Sequence, residues 1–192
     1  MHIEAPRNPS PEATLQLVNH HLLEMSHSVK FVTLLYGILD ISGRFDYCRA
    51  GHPRPLVLDE NMRLIEIASS CGTPLGITEE IALDAQTVTI PRGGLVVIYS
   101  DGLSEAEDVK NNQFGVERLV NELPTVSHLP AAQVCAHLWK RVQEFGGGQP
   151  QSANKNLLAF YTHLGVCLIK ISGRRVSSNE GINVLNERKS YD

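Results

Sequence analysis

Asp101 closes the apolar run Leu95-Val96-Val97-Ile98-Tyr99-Ser100 and is followed at once by Gly102. A strand that breaks at a glycine sets a carboxylate at the mouth of a sheet, and hard divalent cations take oxygen ligands. Asp101 is therefore the candidate metal ligand, and the alternative at the same place is a plain Asp-Gly turn. Glu105, Glu107 and Asp108 follow closely and could lend charge to a cation site or simply be solvated loop acids. His20 and His21 sit on a helical stretch without a His or carboxylate pair at spacing suited to zinc, so they stay outside the site. Cys48, Cys71, Cys135 and Cys167 form no C-x-x-C pair and read as reduced core thiols.

The elements that must position Asp101 follow from periodicity. Ser10-Pro11-Glu12 starts a helix, because serine caps free amides and proline fits the first turn. Leu15, Val18, Leu22 and Met25 then share one face, which predicts a helix from Pro11 to Ser26. Phe31 to Leu39 is rich in β-branched and aromatic residues and reads as a buried strand. It turns at Asp40-Ile41-Ser42-Gly43 into a returning strand through Phe45, Tyr47 and Arg49. Further strands are predicted at Pro55–Leu58, around Leu64–Ile67, and from Ala85 to Ile90, the last turning at Pro91-Arg92-Gly93-Gly94 into Leu95–Ser100. That final run is apolar enough to be central. A short helix begins in Phe114–Val120, a longer one spans Pro130–Phe145 with Val134, Leu138 and Val142 on one face, and Asn156–Phe160 supplies a last strand. Hairpins in sequence with helices at the ends predict an α+β fold.

At 192 residues, 42% hydrophobic and 20% charged, the chain is long enough for one globular domain with a sizeable core. Seventeen basic against 21 acidic residues give a net charge of -4, too mild to draw nucleic acid or an anionic membrane by bulk electrostatics. The start has neither the basic end nor the apolar stretch of a signal peptide. The apolar stretch Leu157 to Ile171 is interrupted and too short for a bilayer of about 30 Å. The expected location is the cytoplasm, and the expected partner is a protein or a small molecule.

In order and spacing, Phe31-Val32-Thr33-Leu34-Leu35-Tyr36-Gly37, Ala50-Gly51-His52-Pro53, Gly72-Thr73-Pro74-Leu75-Gly76, Tyr99-Ser100-Asp101-Gly102-Leu103-Ser104-Glu105-Ala106 and Phe114-Gly115 resemble the metal-dependent PPM-type (protein phosphatase 2C-like) phosphatases, closest to the bacterial SpoIIE-like serine phosphatases. The likeness covers roughly Ser10 to Phe160. It implies an antiparallel β-sandwich flanked by helices, and hydrolysis of phosphoserine or phosphothreonine with two Mn²⁺ or Mg²⁺ ions. It implies that Asp101 is a metal ligand with Gly102 leaving room beside it, and that the substrate is a phosphorylated regulator of the anti-sigma-factor-antagonist type. His52 has the chemistry of a proton donor to a leaving phosphate ester, but the resemblance makes Ala-Gly-His a structural turn.

The sequence departs from that pattern twice. The pattern opens with a metal-bridging Asp in Asp-x-x-Gly-His/Lys-Gly ahead of the first helix, where this sequence has only Met1 to Pro9. Its late Asp-Asp or Asp-Asn pair falls on Ala153-Asn154. The expectation is a leader at 1–9, a partial phosphatase domain at 10–161 and a divergent polar tail at 162–192, unpatterned and disordered from Ser172. Two of the expected metal-ligand carboxylates are absent, which predicts weakened metal binding and low turnover. The alternative is a non-catalytic pseudophosphatase acting as a protein-binding module. Exposed sheet edges predict a homo-oligomer or a partner chain that covers them.

Overall fold

Ser10 begins the first helix as its sequence predicts, its Oγ accepting from the Ala13 amide at 3.0 Å with Pro11 in the first helical position. The structure is a computed structural model that describes residues 10–25, 31–68, 70, 72–147 and 157–162. The elements run α1 Pro11–Met25, β1 Leu34–Leu39, β2 Arg44–Ala50, β3 Leu56–Leu58, β4 Asp84–Thr89, β5 Leu95–Tyr99, α2 Asp101–Ser104, α3 Val116–Glu122, a 3-10 turn Leu123–Val126, α4 Ala131–Phe145 and β6 Leu157–Tyr161. They make an α+β fold of two antiparallel three-stranded sheets, ordered β1-β2-β4 and β3-β5-β6. The chain divides into two compact units, one of Met1–Arg54 and Glu66–Thr89, the other of Pro55–Ile65 and Ile90–Asp192.

In the first unit α1 packs Leu15 against Cys48, Ala50 and Leu75, with Val18, Leu22, Leu34 and Tyr36 partly buried around them. Met25, expected on that face, is 65% exposed. Asn19 is buried instead: its amide nitrogen donates to the Thr78 carbonyl at 2.9 Å and its oxygen accepts from the Gly76 amide at 2.8 Å. A polar residue on the buried face is stable there because both ends of its amide are matched.

β1 is half-buried except at Ile38, which is exposed, and not buried as its composition suggested, because it lies at the end of its sheet among the described residues. β4 does not form a hairpin with β5: it pairs with β2, while both edges of β5 are taken by β3 and β6. The strand expected around Leu64–Ile67 is a single bridge from Leu64 to Leu58, beside which the Ile65 amide donates to the Val57 carbonyl at 2.7 Å.

The second unit is built on β5, central in its sheet as expected, with Leu95, Val96 and Val97 wholly buried. Val134, Leu138 and Val142 of α4, one helical turn apart, are wholly buried in the same cluster as Leu56, Val97, Leu103 and Leu157. Cys48 and Cys135 are buried. Cys71, Cys167, the pair Ala153-Asn154, the leader and the tail lie outside the described residues. No helix of the described residues is long and apolar enough to cross a membrane.

Three turns share one construction. The Oδ1 of Asp40, Asp59 and Asp108 accepts from the amides two and four residues on, at 2.7 to 3.1 Å. The fourth residue of each turn, Gly43, Met62 or Asn111, has positive φ. Asparagine tolerates that region where a β-branched side chain does not. Asn111 is exposed, so Asn111→Val is expected to cost about 1–2 kcal/mol through backbone strain alone. Urea denaturation measures it, and an unchanged midpoint would contradict the strained-backbone account.

Candidate functional site

β5 ends at Tyr99, and the extended Ser100 (φ -86°, ψ 158°) hands the chain to the four-residue helical turn α2. Asp101 is the first residue of that turn, so the carboxylate opens a helical turn rather than ending the strand itself. Leu103, wholly buried, anchors the turn in the core of the second unit and leaves the Asp101 side chain exposed. Its Oδ1 accepts from the Gly102 amide at 2.8 Å, while Oδ2 takes no hydrogen bond among the described residues. The Asp101 carbonyl accepts from the Glu105 amide at 2.8 Å and from Ser104 Oγ at 3.1 Å. Gly102 is buried beneath it.

The segment after α2 returns on itself. The Phe114 amide donates to the Ala106 carbonyl at 2.8 Å and the Gly115 amide to the Ser104 carbonyl at 2.7 Å. The 99–106 and 114–115 segments are thus one backbone-tied hairpin closed by the Asp108 turn, with Phe114 buried at its base. Glu105 and Glu107 are exposed, and the Asp108 carboxylate is occupied by the turn's own amides and by the Asn112 side chain. None of the three acids is drawn to Asp101 by a hydrogen bond. Among the described residues no three His, Cys, Asp or Glu side chains gather where they could hold a metal ion. A lone carboxylate with one oxygen already hydrogen-bonded does not fit a pair of dications, which need several anionic oxygens.

In the first unit the Ala-Gly-His-Pro and Gly-Thr-Pro-Leu-Gly segments gather around a buried arginine. Arg49 and Asp84 face each other across β2 and β4 and are 2% and 3% exposed. Arg49 Nε donates to Asp84 Oδ2 at 2.7 Å, Nη1 to the His52 carbonyl at 3.0 Å, and Nη2 to the Ser70 carbonyl. Asp84 Oδ1 accepts from Gln86 at 2.7 Å. Burial works against the Asp84 charge, but the hydrogen bonds from Gln86 and Arg49 hold its carboxyl below the usual carboxylate range. Gly72 has φ +59°, and a Cβ there would stand 2.5 Å from the Arg49 carbonyl, so no larger residue fits. The backbone carbonyl of His52 is thus fixed by Arg49, in keeping with a structural turn. His20 and His21 both reach Glu24, at 3.2 and 3.4 Å, a carboxylate at helical spacing that the sequence reading had not paired with them.

A second unforeseen cluster joins α3 to α4. Glu122 accepts from Arg141 Nε at 2.7 Å and lies 2.8 Å from His137 Nε2. Burial raises the Glu122 carboxyl, but the hydrogen bonds of His137 and Arg141 outweigh it and lower the pKa. Because the folded value lies below the unfolded one, this stabilisation is complete above the unfolded carboxyl pKa of about 4.3. It is lost as the pH falls through the folded value. Thermal melts are expected to decline more steeply below about pH 4 in the natural chain than in Glu122→Gln, and parallel declines would contradict the assignment. The only sequence signal for this cluster was the four-residue spacing of His137 and Arg141 on one helix.

Comparison with known proteins matches residues 1–152 to the family described as stage II sporulation protein E (SpoIIE). Protein IcfG of Synechocystis sp. is 27% identical over 111 residues, which are 57% of this chain and 17% of that protein. The chain therefore spans less than a fifth of that relative. Among solved structures, the SiaA-PP2C domain of Pseudomonas aeruginosa superposes with a TM-score of 0.66 at 17% identity, covering 83% of this chain and 63% of that one. The Mn-presoaked phosphatase domain of the cell fate determinant SpoIIE from Bacillus subtilis gives 0.57 at 13% identity, covering 84% and 76%. At these identities the structural likeness carries the fold alone. Since the family match takes in most of the sequence and the fold is that of these phosphatase domains, the chain belongs to the SpoIIE family and has the PP2C-type phosphatase fold.

Proposed function

We propose that the chain acts as a SpoIIE-type serine/threonine phosphatase domain, hydrolysing phosphoserine or phosphothreonine on a bacterial regulatory protein of the anti-sigma-factor-antagonist type, in the cytoplasm. The observation that carries this reading is Asp101: an exposed carboxylate whose Oδ2 takes no hydrogen bond among the described residues, opening the turn after the central strand. In this reading Asp101 is a metal ligand, Gly102 leaves room beside it, and the ion is Mn²⁺ or Mg²⁺. The Mn presoak of the Bacillus subtilis domain supports manganese. The described residues do not complete a two-metal site, so turnover by this chain is low.

A second reading is a pseudophosphatase that binds a protein partner without turnover. It is favoured by the absence of a ligand cluster around Asp101 among the described residues and by Ala153 where the family pattern carries an acid. Purified chain assayed on a phosphoserine protein and on p-nitrophenyl phosphate, with and without Mn²⁺, separates the two. Manganese-dependent hydrolysis that Asp101→Ala removes supports the phosphatase. No metal-dependent hydrolysis at any Mn²⁺ concentration would sink it, and specific capture of a phosphorylated or unphosphorylated regulator by the inert chain would establish the binding module.

A further inference from the structure

Between α3 and α4 of the second unit lies a cavity of about 460 Å³, within the roughly 300–1,000 Å³ of small-molecule sites. Part of its lining is aromatic: Phe114, buried, meets the half-buried Phe145 edge to face, with 5.3 Å between ring centres. The rest is polar, Arg118, Asn121 and Glu122 from α3 and Arg141 and Glu144 from α4. The hydrogen bonds already made decide what such a cavity can take. Glu122 accepts from Arg141 at one oxygen and faces His137 at the other. Glu144 accepts from Arg141 Nη1 at 2.9 Å, and Lys140 lies 3.7 Å from its other oxygen. Both acids are thus matched by cations of the chain itself. The guanidiniums are not fully engaged. Arg118 uses only Nη1, which donates to the Gln113 and Phe114 carbonyls at 2.8 and 2.6 Å, while the group lies over the Phe145 ring, 4.8 Å from its centre. Its Nε–Nη2 edge, the fork whose parallel N–H groups match the two oxygens of a carboxylate, donates to nothing among the described residues. Arg141 Nη2 and the Asn121 amide also make no hydrogen bond among them.

We propose that this cavity binds a small monocarboxylate with an aromatic body, the carboxylate on the Arg118 fork and the ring against Phe114 and Phe145. The lining has donors to give and its acids are satisfied, so the ligand must bring acceptors. Two guanidiniums and two carboxylates leave the lining without net charge. One added negative charge is answered by the Arg118 fork, whereas a phosphate dianion brings a second beside Glu122 and Glu144. The aromatic pair calls for a flat apolar body, since rings stack or meet edge to face. Phe114 is also the link to the Asp101 hairpin: its amide donates to the Ala106 carbonyl at 2.8 Å, and the Gly115 amide to the Ser104 carbonyl at 2.7 Å. Occupancy is therefore read at these two amides as well as at Asn121. The site is independent of whether the chain hydrolyses anything.

Titration of naphthylacetate into the isotope-labelled full chain, followed by amide correlation spectra, is expected to shift the Asn121 side-chain signal and the Phe114 and Gly115 backbone signals. The dissociation constant should be about 1 mM, ordinary for a ligand of this size. Naphthylacetamide, the same body without the charge, should bind at least about 10-fold more weakly, and acetate, which lacks the rings, should not saturate. Arg118→Gln should weaken naphthylacetate at least about 10-fold while circular dichroism shows the fold retained. Should Arg118→Gln not fold, Asn121→Asp decides, because Asn121 is exposed: the added charge should weaken naphthylacetate about 5-fold, the worth of a unit charge at about 4 Å in water, and leave naphthylacetamide unchanged. No saturable shift of these signals, equal binding of the amide, or an affinity untouched by both substitutions overturns the proposal. So does tighter binding of naphthylmethylphosphonate, or of an acetyl-Trp-Glu-amide peptide, which would give the cavity to a protein partner.

Discussion

Arg49→Ala is expected to lower stability by about 3–5 kcal/mol. Removing the guanidinium leaves the Asp84 carboxylate buried with no cation beside it, held by the Gln86 and Ser70 side chains, and strips a donor from the carbonyls of His52 and Ser70. An uncompensated buried charge is costlier than the lost attraction alone. The double variant Arg49→Met with Asp84→Leu removes both charges and should recover part of the loss, though not all, because the two carbonyls stay unmatched. Urea unfolding of the four chains gives the coupling directly. The Asp84 carboxyl is held low in the folded state. Its contribution is therefore full above the unfolded value of about 3.9 and falls away as the pH drops through the folded one. A loss under about 1 kcal/mol for Arg49→Ala would mean that the pair only just offsets its own desolvation.

Asp101→Ala separates a metal ligand from a turn residue by moving two measurements differently. As an exposed acid in the first turn of α2, Asp101 is worth about 0.3–1 kcal/mol to folding, so the variant should melt close to the parent chain. If Asp101 binds the ion, the apparent Mn²⁺ affinity measured by calorimetry should fall at least about 100-fold, since even groups that only orient a ligand are worth 10–100-fold. Any Mn²⁺-dependent hydrolysis should disappear with it. Unchanged Mn²⁺ affinity together with a small loss of stability would assign Asp101 to the Asp-Gly turn.

Parts of this molecule were legible because local chemistry decides them. Val134, Leu138 and Val142 recur at one helical turn, and α4 is where they put it. Leu95 to Tyr99 is apolar on both faces, and β5 is central. Asp40 and Asp59 mark turns because an aspartate can satisfy its own following amides. Partners were harder to read. The alternation in β4 states that one face is half-buried without saying that β2, rather than β5, lies beside it. Arg49 and Asp84 are each ordinary surface residue types, and only the strand register brings them together in the interior. The position of Asp101 after an apolar strand was visible in the sequence. What surrounds its carboxylate depends on chain segments far from it, which no local pattern encodes.

The two units are interleaved along the chain: the first resumes at Glu66 after the second has begun at Pro55. During synthesis the β1-β2 hairpin can form as soon as it emerges, but β4, which completes its sheet, follows only after β3 has been made. β3 must in turn wait for β5, and β5 for β6 near residue 157. No single cut separates the two units: a fragment ending at Thr89 keeps β1-β2-β4 but carries β3 without β5, and one starting at Pro55 keeps β3-β5-β6 but carries β4 without β2. Among the described strands the pairing most distant in sequence is β5 with β6, and such distant pairings slow folding more than the local contacts of helices do.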